Sequence, residues 1–129
     1  MKILWDIHSF IEIGVSYLKI DKELMKGSTT LLILNLLDKE NLYGYQLIKK
    51  LSEESENIFN LKEGTLYPIL HGLEEKGFIS SYWDDTTGKK RKYYSITKQG
   101  KKQLKESKEE WKVFSGAVNK VIGGVSYVN

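Results

Sequence analysis

From Asp21 onward the apolar positions fall into a helical rhythm. Thr29, Leu32, Ile33, Leu36 and Leu37 recur at three- and four-residue steps, which gathers them on one broad face. Asp21 is placed to cap that helix, and Leu24, Met25 and then Ser28–Leu37 form its apolar body. Asp38–Leu42 is a polar break. A second helix over about 43–54 turns Leu47, Ile48 and Leu51 inward, and Gly44 near its start signals close packing or a tight entry. Ser55–Asn60 reads as a loop. A third helix over about 63–76 buries Leu66, Ile69, Leu70 and Leu73 and stops at Gly77 as a C-terminal cap. Pro68 is the only proline, and its tolerance near a helix start places that start close to Glu63–Thr65.

The period then changes. Phe78–Trp83 reads as a strand, Asp84–Lys89 is a turn cluster, and Lys90–Ile96 is a return strand with Tyr93, Tyr94 and Ile96 available for packing. Thr97 is placed to cap a last helix over about 98–122. Its apolar residues Leu104, Trp111, Phe114, Val118, Val121 and Ile122 follow heptad steps, a narrow seam too short to stand alone. Gly123 and Gly124 end it. Residues 1–20 fit two patterns. Ile3, Leu4, Ile7, Phe10, Ile11 and Leu18 suit a helical face, while Ile11, Ile13, Val15 and Tyr17 alternate as a strand would. The expectation is a helix over about 3–12, with the rest extended.

Three helices, a two-stranded hairpin and a long final helix predict an α+β, mainly α fold: a winged helix-turn-helix with a C-terminal dimerisation helix. The expected division is an extension over 1–20, a DNA-binding domain over 21–97, the dimerisation helix over 98–122 and a tail over 123–129. Gly14-Val15-Ser16-Tyr17-Leu18 nearly repeats as Gly124-Val125-Ser126-Tyr127-Val128. This reads either as matching short strands or as translated ribosome-binding sequence.

Composition narrows the chemistry. A chain of 129 residues, 40% hydrophobic and 29% charged, suits one folded domain rather than a disordered segment. The net charge is only +3, but Thr86–Lys105 holds eight basic residues and no acidic one. A local positive field of this kind implies a polyanionic partner; the plain alternative is a solvated lysine-rich face. With no cysteine, disulfides and thiolate zinc sites are excluded. No apolar run approaches the roughly 20 residues of a membrane span, and the start lacks the pattern of a signal peptide. His8 and His71 stand alone, so no metal is expected. No nucleophile–base pair or phosphate-binding glycine loop appears, so neither enzyme chemistry nor a cofactor is expected.

Four segments carry a family resemblance: LMKGSTTLLILNLL (24–37), YGYQLIKKL (43–51), EGTLYPILHGLEEKGFISSYW (63–83) and GKKRKYYSITKQGKKQL (88–104). Over about 22–122 the chain resembles the PadR-type transcriptional regulators. Its single C-terminal helix is similar to the short subfamily that includes multidrug-binding regulators of the LmrR type. The resemblance implies a homodimeric, cytoplasmic, DNA-binding repressor, often relieved by a small aromatic or drug-like ligand. Gly72 stands where relatives commonly carry arginine, and the extension over 1–20 is one such proteins usually lack.

Residue by residue, Thr65 and Tyr67 are expected to face DNA, with Leu66 packed inward and Lys62 on a phosphate; the bland reading makes Tyr67 a partly buried aromatic. Lys89, Lys90, Arg91 and Lys92 alternate in direction if they lie on a strand, so about half can face DNA. Arg91 is the candidate for groove insertion and the lysines for phosphate contact. Tyr43 and Tyr45 can bond phosphates with their hydroxyls, or Tyr45 can pack on the first helix. Trp111, mid-seam, would approach the partner subunit's Trp111 in a twofold dimer, and the pair could sandwich a flat aromatic molecule. It corresponds to the drug-stacking tryptophan of the LmrR type. The alternative is an interface aromatic that binds nothing. Expected partners are therefore double-stranded DNA with twofold symmetry, a second copy of the chain and a planar aromatic molecule, with no membrane. A winged helix that binds an acidic protein, and no DNA, is the alternative from another class.

Overall fold

The computed structural model describes residues 20–123. The expected helix over about 3–12 and both copies of the Gly-Val-Ser-Tyr near-repeat lie outside the described residues. Asp21 caps the first helix: its carboxylate accepts from the Glu23 N–H at 2.7 Å, and helix α1 runs Lys22–Lys39. Ile33, Leu34, Leu36 and Leu37 are buried along it. The buried Thr29 hydroxyl donates to the Met25 carbonyl at 3.0 Å, so its polar atom is satisfied. Leu34 lies off the predicted stripe. It is buried because α1 is central, with the second helix, the sheet and the last helix packed around it.

The break after α1 corrects one expectation. Leu42–Tyr43 forms a short strand, β1, that pairs antiparallel with the return strand, Leu42 opposite Tyr94 and Tyr43 opposite Tyr93. The predicted two-stranded hairpin is therefore part of a three-stranded sheet, in the order β1-β3-β2. Two residues are too few to show a period, so the alternation could not reveal β1. Helix α2 (Gly44–Glu54) follows at once and buries Leu47 and Leu51, with Ile48 half-buried.

Helix α3 (Glu63–Glu75) turns Leu66, Leu70 and Leu73 into the core, with Ile69 at its margin. Pro68 lies in its second turn and cannot bond the Gly64 carbonyl. Both residues are exposed, so water can meet that carbonyl. At the far end Gly77 adopts φ +79°, its N–H bonds the Glu74 carbonyl at 3.0 Å, and the Phe78 N–H bonds the Leu73 carbonyl at 3.0 Å. This paired closure is a Schellman cap, and it turns the chain directly into the sheet.

Strands β2 (Ile79–Asp84) and β3 (Arg91–Ile96) pair antiparallel from Ile79 opposite Ile96 to Asp84 opposite Arg91. Thr97 alone separates β3 from helix α4 (Lys98–Val121). Its hydroxyl caps α4 by accepting from the Gly100 N–H at 3.0 Å, and donates to the Gly77 carbonyl at 2.6 Å. Gly100 is buried on the backbone of Phe78; a Cβ there would run into the Phe78 carbonyl and the Ile96 side chain. The Lys101 ammonium meets the Asp38 carboxylate of α1 at 3.4 Å. The first turn of α4 is thus seated on the end of α3, the sheet and α1 together.

Candidate nucleic-acid interface

The start of α3 is presented by its packing on α2. Leu66 is fully buried, while Lys62, Glu63 and Thr65 around it are exposed. Tyr67 is 36% exposed and lies across Gly44, where a Cβ would strike its phenol ring. That close approach accounts for the glycine at the start of α2. Tyr45 is 61% exposed, which overturns its alternative role of packing on the first helix. Tyr43 is half-buried, its ring edge-on to Tyr93 at 5.3 Å. Gly72 faces open space, so no contact explains the glycine there.

The wing turn is held by Asp84, whose carboxylate accepts from the Thr86 N–H at 2.8 Å, and by Gly88 at φ +94°. The hydrogen bond from the Thr86 backbone, then one from its hydroxyl, hold the Asp84 carboxyl below the usual carboxylate range. Lys89 and Lys90 fall in the loop rather than on a strand, so strand alternation governs only Arg91 and Lys92. Each cation of the run 90–92 sits over a ring. Lys90 lies 5.4 Å from the Trp83 centroid, Arg91 4.7 Å from Tyr43, and Lys92 5.8 Å from Tyr94. Arg91 also donates to the Thr87 hydroxyl at 3.2 Å. The Arg91 guanidinium is thus seated over Tyr43 beside Thr87, while Lys89 and Lys90 are exposed in the wing loop.

Together α3 and the wing border a shallow cleft of about 290 Å³. Tyr43, Tyr45, Tyr67 and Trp83 line it with aromatic surface, Lys90, Arg91 and Lys92 with positive charge, and Glu63 is the one acid. Tyr94 lies buried beneath the wing, where burial first, and then the charges of Glu74 and Tyr67, push its hydroxyl pKa up. Of the nine residues expected at DNA, the cleft gathers Tyr43, Tyr45, Tyr67, Lys90, Arg91 and Lys92; Lys62, Thr65 and Lys89 lie outside its lining. Trp83 was not among the expected contacts, although its place two residues beyond Ser81 and four beyond Ile79 put it on the helix-facing side of β2.

The predicted seam divides in two. Leu104 is buried within the chain's own core, so its assignment to a dimer interface is corrected. It falls in the part of α4 that packs on α1. Trp111, Phe114, Val118, Val121 and Ile122 remain exposed, with the Trp111 and Phe114 rings 6.1 Å apart. His71 is exposed, and among the described residues no group of three or more His, Cys, Asp or Glu could hold a metal ion. Nor is any described helix long and apolar enough to cross a membrane.

A helix-turn-helix whose second helix runs into a basic β-wing defines the winged helix-turn-helix class. The family model of the PadR-like transcriptional regulators matches residues 33–106, and the chain belongs to that family. A transcriptional regulator from Clostridium thermocellum has a solved structure 35% identical to this chain, with a TM-score of 0.72; the match covers 77% of this chain and 97% of that one. A PadR family regulator from Eggerthella lenta is 32% identical, with a TM-score of 0.71 over 92% of this chain and 99% of that one. The negative transcriptional regulator PadR of Bacillus subtilis is 35% identical over 74 residues, which cover 56% of this chain and 40% of that protein. The protein is accordingly a transcriptional regulator of the PadR family, a family of regulators rather than enzymes.

Proposed function

We propose that this regulator is a homodimeric, sequence-specific DNA-binding repressor. The observation that carries the reading is the convergence of the first turns of α3 and the wing cations on one cleft with a single acid in its lining. In this arrangement Thr65 and Tyr67 face base edges in the major groove. Lys62 and the hydroxyls of Tyr43 and Tyr45 meet phosphates, and Lys89, Lys90, Arg91 and Lys92 hold the backbone on the wing side. The exposed stripe from Trp111 to Ile122 supports a twofold dimer, because a second copy covers what the chain leaves bare. The Bacillus subtilis relative is a negative regulator, which supports repression over activation. The protein then works in the cytoplasm, where its operator lies. Footprinting on the DNA upstream of its own gene should reveal two symmetric half-sites about 10 base pairs apart, centre to centre. Protection of one half-site only would rule out the twofold arrangement.

The pairing of Trp111 with Phe114 favours a ligand role in the seam. A planar aromatic molecule held between Trp111 and the partner subunit's Trp111 would alter the angle between the two protomers and loosen DNA. Titration with a flat aromatic dye should quench Trp111 fluorescence and release bound DNA. Quenching that survives in Trp111→Ala would trace the signal to Trp5 or Trp83 and remove this role.

A further inference from the structure

Trp83 is an inward-facing residue with nothing inside to cover it. Along β2, Ile79 is buried in the core and the Ser81 hydroxyl donates to the Glu74 carboxylate of α3 at 2.7 Å. By strand alternation Trp83 continues that same face. Strand β2 runs back alongside α3, from Glu74 near its end toward Glu63 and Tyr67 at its start. At the level of Trp83 the helix no longer supplies cover, and the indole is left 61% exposed. Its cross-strand partner is Lys92, and the Lys90 ammonium lies 5.4 Å from its ring.

We propose that Trp83 is a DNA-contacting residue of the wing, its indole closing on the sugar–phosphate backbone beside the groove entered by α3. This rests on the DNA-binding reading above and adds to it a residue and a mode of contact. The charges around the ring choose the occupant. Lys90, Arg91 and Lys92 share the cleft with it, and only Glu63 opposes them. An apolar partner would leave those cations desolvated and unpaired, whereas a phosphodiester chain meets them and offers deoxyribose to the indole. The ring also steadies Lys90 before binding, which lowers the ordering cost of the contact.

The test uses the full chain labelled with 5-fluorotryptophan, the Trp83 resonance being the one absent from Trp83→Phe. On saturation with the upstream duplex that resonance should shift and its solvent isotope effect should fall, as the indole leaves water. Trp83→Ala should bind the duplex about tenfold more weakly, or ~1.4 kcal/mol, with its melting temperature unchanged. The slope of log affinity against log salt should stay near that of the wild type, because no phosphate-neutralising charge is removed. A Trp83 resonance that stays fully solvent-accessible in the saturated complex, or an alanine variant of undiminished affinity, overturns the assignment while the DNA-binding reading stands. A wild-type chain that forms no complex with any duplex, even at low salt, overturns both.

Discussion

Replacing Lys89, Lys90, Arg91 and Lys92 together by alanine should remove tight DNA binding and leave the fold in place. Lys89 and Lys90 are exposed at the wing tip and contribute little to folding. Arg91 and Lys92 are half-buried over tyrosine rings, so replacing them costs about 0.5–1 kcal/mol of stability each. Binding suffers far more. For every phosphate that goes without its cation, the salt slope becomes shallower by about 0.9, and in a dimer the effect is doubled. With two or three phosphates held per wing, affinity near physiological salt should fall by about 100-fold or more, at least ~2.7 kcal/mol. Fluorescence anisotropy across a salt series measures both quantities. A variant with unaltered slope and affinity would mean that the wing does not touch DNA, and would favour an acidic protein as its partner.

Phe114→Glu combined with Val118→Glu should convert the proposed dimer to a monomer. The two positions are 60% and 40% exposed in the single chain, on the half of α4 that projects beyond the core. In a twofold seam each new carboxylate would be desolvated beside its own copy, a like-charge encounter that neither hydrogen bonding nor water relieves. The protomer itself should stay folded, because Leu104 and Gly100 anchor the other half of α4. Operator affinity should drop by about 10²–10⁴, the factor that linking two recognition units supplies. Light scattering gives the mass and a mobility shift gives the affinity. A double variant that still sediments as a dimer would place the interface on another surface.

Much of the architecture was legible because burial imposes a period. The stripes of α2 and α3, the caps at Asp21, Thr97 and Gly77, and the wing turn all follow from spacing and turn chemistry. What escaped has a common cause, packing between segments distant in the chain. β1 is two residues long and exists only through its pairing with β3. Leu104 fits the heptad rhythm of the seam equally well whether it faces α1 or a second copy, and only the seating of Gly100 on Phe78 and Ile96, with the Lys101–Asp38 pair, turns it into the chain's own core. The candidate site divides in the same way. The basic run is visible in one dimension, but the ring beneath each cation is not, since Tyr43 and Arg91 are brought together only by the sheet. Trp83 could have been found by counting from Ile79, had the strand been read for its uncovered end as well as its buried one.

The single residue between β3 and α4 makes a hinge without slack. Thr97 ties the end of α3 to the beginning of α4, and the backbone of Phe78 fills the space under Gly100. Recognition helix and projecting arm therefore turn as one lever about that point. In the proposed dimer, a tilt of the arms by a few degrees would be delivered at the far end as a change in reach between two grooves. An inserted residue after Thr97 would lift Gly100 off the Phe78 backbone and turn Leu104 about 100° away from the core, so packing on both sides fixes the length of this joint.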